Sequence, residues 1–201
     1  AFPSVNRQWL RAALRHIGIA ENILTLIDAL YQDQQCWVKL DDHFFKIFVT
    51  TAGVAQGWPM SGSLWAILFN PYLGKLAFAM GLPSVLEPAR TAAPLQHSRG
   101  AVGGCADDVG IVLRSIEHLG GIEEVFEDMR TLGRLALHQR KTIIVPLWGA
   151  LTSDVKRDTQ EMLTWYAPSW SQVLIQDSAN YLGVILGPGA TLVQIWAWAG
   201  T

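Results

Sequence analysis

The chain has 201 residues, half of them apolar and 16% charged, which excludes a disordered chain and supplies enough material for a sizeable core. A formal charge of −2 counts against a nucleic-acid surface built on clustered Lys and Arg. Cys36 and Cys105 cannot form a disulfide framework or a zinc pattern with the five scattered histidines, so a reducing, intracellular setting is expected.

The opening Ala1-Phe2-Pro3-Ser4 lacks the regions of a secretion signal. Ser4 or Asn6 can cap a first helix with Leu10, Leu14 and Ile17 at helical spacing, ended by Gly18. A second helix, about Glu21 to Tyr31, repeats the pattern with Ile23, Ile27 and Leu30. Cys36 to Leu40 and Phe44 to Thr50, joined by Asp41-Asp42-His43, read as a hairpin. After a Gly- and Pro-rich loop from Gly53 to Gly62, a helix starting near Ser63 buries Leu64, Ile67, Leu68 and Tyr72, and Pro71 should kink or split it. Asn70 and Pro71 also interrupt the best candidate for a membrane span, which needs roughly 18 apolar residues, so no membrane association is expected.

The segment 81–100 carries Pro, Ala and Ser without periodicity and reads as an exposed insertion. Beyond it, an apolar run from Gly100, the tetrapeptide Cys105-Ala106-Asp107-Asp108, and a second apolar run from Val109 to Leu113 read as strand, tight turn and returning strand. Two readings of the adjacent acids stand side by side. Burying either carboxylate unpaired would cost several kcal/mol, so a divalent cation is one suitable partner. The other is a solvent-exposed turn, where Asp is common because it bonds its own backbone.

Ser115 to Leu135 places Leu119, Ile122, Val125, Met129 and Leu132 on one face, as expected of an amphipathic helix covering a sheet. A strand at Leu135 to Leu137, a loop His138-Gln139-Arg140, a strand Thr142 to Leu147, a helix Asp154 to Tyr166 and a strand from Tyr181 to Pro188 complete the chain. The expected class is α+β, a largely antiparallel sheet with helices packed on it.

Five segments in this order carry more than their sum: Ala1-Phe2-Pro3-Ser4-Val5, Gly53 to Ser61 with its Gln56-Gly57-Trp58-Pro59, the Ala-Asp-Asp turn, Leu137 to Thr142, and Tyr181-Leu182-Gly183. Together they resemble the palm of reverse transcriptases, and the Tyr-Leu-Gly-Val strand with its short palm insertions is most similar to non-LTR retrotransposons. The resemblance implies a partial reverse transcriptase domain. Residues 19–62 would form the base of the fingers with the template and nucleotide loop, 63–190 the palm with the insertion 81–100, and 191–201 the start of a connection to the thumb.

What the resemblance implies for individual residues suits their chemistry. Asp107 and, less directly, Asp108 correspond to carboxylates that hold magnesium, two ions about 3.5–4 Å apart on the general scheme; hard oxygen ligands suit that ion. Phe2 resembles an aromatic gate that collides with a ribose 2′-hydroxyl and so selects deoxynucleotides. Gln56 and Gly57 fall where the family holds the incoming nucleotide and template base, with Ser61 or Ser63 able to cap the helix behind them. Lys141 matches a lysine that stabilises or protonates the leaving pyrophosphate. Tyr181, Leu182 and Gly183 match the hairpin that grips the primer end. The implied partners are an RNA template, a DNA primer, deoxynucleoside triphosphates and the remaining fingers and thumb of a parent polyprotein, in the nucleus or cytoplasm.

There are departures. The family's first metal-binding Asp precedes the Ala-Phe pair, ahead of Ala1, so the 201 residues alone are expected to be inactive or nearly so. Pro3 stands where many relatives carry a second Asp, Cys105 replaces an aromatic, Trp58 replaces a small residue, and Pro71 interrupts a supporting helix. Two neighbouring readings are a non-catalytic nucleic-acid-binding remnant and a mobile-intron maturase. A metal-dependent phosphohydrolase would leave Gln56-Gly57 and Tyr181-Leu182-Gly183 without a role.

Overall fold

The computed structural model describes residues 2–82 and 99–191, with Phe2 described through its backbone. Most of the insertion 81–100, Ala1 of the first motif and nearly all of 191–201 therefore lie outside the described residues. The architecture is α+β, in two compact units: Ala1–Pro71 with Met129–Leu135, and Tyr72–Asp128 with Ala136–Thr201.

In the first unit, a 3-10 turn at Phe2–Ser4 precedes helix α1 (Arg7–His16). Asn6 caps it, its side chain accepting from the Gln8 N–H, and Gly18 takes φ +86° just past its end. Leu10 and Leu14 are buried, but Ile17, beyond the last turn, is 55% exposed. Helix α2 (Glu21–Tyr31) has the expected bounds with a different inner face: Leu24, Ile27 and Tyr31 are buried, whereas Ile23 and Leu30 are exposed. Apolar residues on nearly every side of α2 leave its phase open to periodicity, and Tyr31 settles it by packing inward. The antiparallel hairpin β1 (Gln35–Leu40) and β2 (His43–Val49) follows, its register shifted between Cys36 and Trp37.

Helix α3 (Ser61–Ala79) starts two residues before the expected Ser63 and runs unbroken through Pro71. Burial of Leu68 and Phe69 before the proline, and of Tyr72 and Leu76 after it, holds the helix against the roughly 3 kcal/mol an interior proline costs. No helix among the described residues is long and apolar enough to cross a membrane.

The second unit contains the antiparallel hairpin β3 (Gly100–Cys105) and β4 (Asp108–Leu113). Helix α4 (Leu119–Gly133) follows a 3-10 turn at Ile116–His118 and buries Leu119, Ile122, Val125, Phe126 and Met129. Leu132, expected on that face, is 46% exposed, and Phe126 is there instead, edge-on to Trp170 at 5.2 Å. Leu135 to Leu137 is not a strand. Arg134 takes φ +57° and the Leu135 N–H returns to the Met129 carbonyl (3.0 Å), so Leu135 closes the helix end with its side chain buried.

The expected strand Thr142 to Leu147 shortens to β5 (Ile143–Ile144), because Pro146 is buried and has no N–H to donate to a ladder. Helix α5 (Ser153–Tyr166), capped by Thr152, leads to β6 (Leu174–Ile175), which pairs with β5 in parallel. The expected Tyr181–Pro188 strand is a hairpin, β7 (Ala179–Tyr181) and β8 (Val184–Leu186). Among the described residues the strands thus form four separate two-stranded ladders, three antiparallel and one parallel, in place of the single sheet expected.

Candidate functional site

The acidic hairpin closes on a two-residue loop, Ala106-Asp107, between the paired residues Cys105 and Asp108. Ala106 takes φ +52°, a region that favours glycine, which makes the loop tight and leaves both Asp107 and Asp108 exposed at its tip. Below the tip the strands are bare: Gly103 pairs with Gly110, and Gly104 with Val109.

The missing side chains make room for two others. A Cβ on Gly110 would lie 2.9 Å from Cζ of Tyr181, and one on Gly103 would lie 3.9 Å from its hydroxyl oxygen. That hydroxyl donates to the Gly103 carbonyl at 3.3 Å. A Cβ on Gly104 would meet the Leu73 side chain at 3.0 Å. Since successive residues of a strand point to opposite faces, Tyr181 covers one face of the hairpin and Leu73 the other. The same alternation puts Asp108 on the Tyr181 face.

Tyr181 is placed there by its own hairpin. It pairs with Val184 across the loop Leu182-Gly183, whose φ values of +53° and +86° are those of a primed turn. The Gly183 N–H donates to Oδ1 of Asn180 at 3.0 Å, which fixes the loop. The structure therefore brings the Tyr-Leu-Gly and Ala-Asp-Asp segments together. Lys141 is different. It ends a 3-10 turn (Gln139–Lys141) with its N–H bonded to the His138 carbonyl at 2.8 Å, and its ammonium is exposed, with no hydrogen bond or ion pair among the described residues.

On the same helix as Leu73, α3, Lys75 pairs with Asp128 of α4 at 2.6 Å. Burial, helped by the Asp128 charge, pushes the Tyr72 hydroxyl well above its ordinary value, so it stays protonated.

In the first unit the other two segments meet. The Gly53 N–H donates to the Val5 carbonyl at 2.8 Å, and Gly53, at φ +86°, lies so close to the Pro3 backbone that no side chain would fit. Gln56 and Gly57 form the exposed turn of the loop, with Gly57 at φ +86° and open space around it. Trp58 stacks on Tyr31 with ring centroids 5.6 Å apart. Ser61 is buried and donates its hydroxyl to the Ala55 carbonyl, so it ties the loop back to the start of α3 instead of accepting a cap bond. Phe2 lies at the head of the 3-10 turn beside this loop's base, and its ring is outside the described atoms.

Arg7 organises this region, and nothing in the sequence distinguishes it from an ordinary first-turn arginine. Its guanidinium donates to the carbonyls of Tyr31 (2.7 Å), Thr50 (3.2 Å), Ala52 (3.2 Å) and Gly53 (3.2 Å), and to Oε1 of Gln34 (3.3 Å). It also lies 5.0 Å from the centroid of the Tyr31 ring. A planar fork of five donors can gather so many acceptors where a lysine could not.

Among the described residues no group of three or more His, Cys, Asp or Glu is placed to hold a metal ion. Asp107 and Asp108 are a two-carboxylate donor set, which fits magnesium, an ion commonly held by one or two carboxylates with waters and substrate phosphates completing its shell. No family model matches the chain. Over 127 residues, 63% of the chain, it is 25% identical to the "Transposon TX1 uncharacterized 149 kDa protein" of Xenopus laevis, and the match spans 9% of that protein.

Proposed function

We propose that the chain is part of the palm, with the base of the fingers, of a reverse transcriptase of non-LTR retrotransposon type. Its reaction is template-directed transfer of deoxynucleotides to a primer 3′-hydroxyl. The observation that carries this reading is the seating of Tyr181 on the glycine pair of the Asp107-Asp108 hairpin, which unites two segments about 70 residues apart in the sequence. The similarity to a transposon protein supports it.

In this reading Asp107 and Asp108 hold magnesium, which supplies positive charge against the triphosphate. The Tyr181-Leu182-Gly183 turn positions the primer end beside those carboxylates. Gln56 and Gly57 present backbone and amide to the nucleotide and its template base, Phe2 excludes a 2′-hydroxyl, and Lys141 gives a proton or a charge to the departing pyrophosphate.

The test is calorimetric titration of dATP into the chain with and without magnesium. The expected result is magnesium-dependent binding that Asp107→Asn weakens about tenfold or more, the scale of a lost charged contact of about 1.5–3 kcal/mol. Asp41→Asn, in the other acidic turn, should leave it unchanged. Binding indifferent to magnesium, or equally sensitive to Asp41→Asn, would overturn the proposal, and retained oligonucleotide binding in that case would favour the non-catalytic remnant.

A further inference from the structure

The β1–β2 hairpin has a face that the polymerase reading leaves unused. Trp37 pairs with Lys46 and Lys39 with Phe44, so strand alternation sets two rings and two ammonium groups in a checkerboard on one side. Trp37 is 51% and Phe44 67% exposed. The opposite side carries Val38, Leu40, His43 and Phe45 and no cation, with the His43 and Phe45 rings 6.5 Å apart. Lys39 reaches Asp42 at 3.6 Å in an exposed pair that a stronger anion can displace, and no acid pairs with Lys46 among the described residues.

Exposed rings interleaved with cations suit a polyanion whose flat groups are free to stack. A duplex keeps its base faces inside its own stack, whereas a single strand offers them. We infer that this face binds single-stranded nucleic acid, bases stacking on Trp37 and Phe44 while Lys39 and Lys46 meet the phosphates. The inference rests on the proposed function for the class of polymer and not for the chemistry at Asp107.

Fluorescence anisotropy of labelled oligothymidylate and oligouridylate with the full chain, in EDTA, tests it apart from the magnesium site. Trp37→Ala and Phe44→Ala should each weaken binding about tenfold. Lys39→Gln and Lys46→Gln should each reduce the slope of log affinity against log salt by about 0.7. Phe45→Ala, on the opposite face, should change nothing, and circular dichroism should show every variant folded. Unchanged affinity in both aromatic variants, equal loss in Phe45→Ala, or no binding by the wild-type chain would overturn the inference. So would a wild-type dimer that ignores oligonucleotide and dissociates on Phe44→Ala, since the face would then serve a second copy. Loss of magnesium-dependent dATP binding with this binding intact would count against the polymerase reading alone.

Discussion

Two hairpins in this chain carry adjacent aspartates at a two-residue loop, and they differ in everything below the loop. At Asp41-Asp42 the strands hold Trp37, Phe44, Phe45 and Phe48, all more than half exposed. At Asp107-Asp108 they hold Gly103, Gly104 and Gly110, and the space is filled from outside by Tyr181 and Leu73. Both loops begin with a residue at positive φ, +51° at Asp41 and +52° at Ala106. A pair of acids on a tight turn is therefore weak evidence for a site. What separates the second hairpin is that other segments are built to lie against it.

The anchors of the two hairpins are the place to break this comparison. Arg7 holds the foot of the first: it bonds Thr50, whose own N–H and hydroxyl both donate to the Gln34 carbonyl, at 2.8 and 2.9 Å. Arg7→Met should have the largest effect, a loss of about 3 kcal/mol, because it leaves several half-buried carbonyls without their donor. Urea denaturation would measure it, and Arg7→Lys should recover little, since an ammonium cannot span acceptors arranged around a planar fork. Full recovery by lysine would mean that charge and not geometry holds this region.

For the second hairpin, Gly110→Ala should cost about 1–3 kcal/mol by driving a methyl into the Tyr181 ring. In a Tyr181→Ala background the same change should cost about 1 kcal/mol less, and a double-mutant cycle on the denaturation midpoints would show that coupling. Additive effects would mean that Tyr181 does not seat on Gly110. Tyr181→Phe is the milder version, keeping the ring and losing only the bond to Gly103, for about 0.5–1 kcal/mol.

Much of this contrast could be read from the residues. Helices α1, α2 and α5 and the hairpins β1–β2 and β3–β4 follow from capping, periodicity and turn composition, and the glycines around Asp107 mark a place where something must come close. The rest depended on distant partners. Tyr181 looked like the start of a strand, because Leu182 is an unfavourable choice for φ +53° and disguises a primed turn. The Leu135–Leu137 run has strand composition, and only the return of Leu135 to Met129 turns it into a helix stop. Pro146 should have shortened the strand Thr142 to Leu147 on sight, as a proline denies a ladder its donor. Arg7 could not be foreseen, since its acceptors are main-chain carbonyls that carry no sequence signal.

The smallest effect concerns an acid held between two arginines. Glu21, at the head of α2, accepts from Arg15 of α1 at 2.7 Å and from Arg11 at 2.9 Å. The hydrogen bond from Arg15, more than any other contribution, holds its carboxyl below the ordinary value of 4.5. A carboxyl lowered in the folded state binds its proton more readily once unfolded, so its contribution is fully present above that ordinary value and fades as the pH falls through the folded one. Glu21→Gln should therefore lower the thermal midpoint slightly near neutral pH, and the gap from wild type should close on acidification. The group is exposed, so added salt should narrow the gap at neutral pH as well. A gap that persists in acid would mean that Glu21 acts through its place at the helix start and not through its charge.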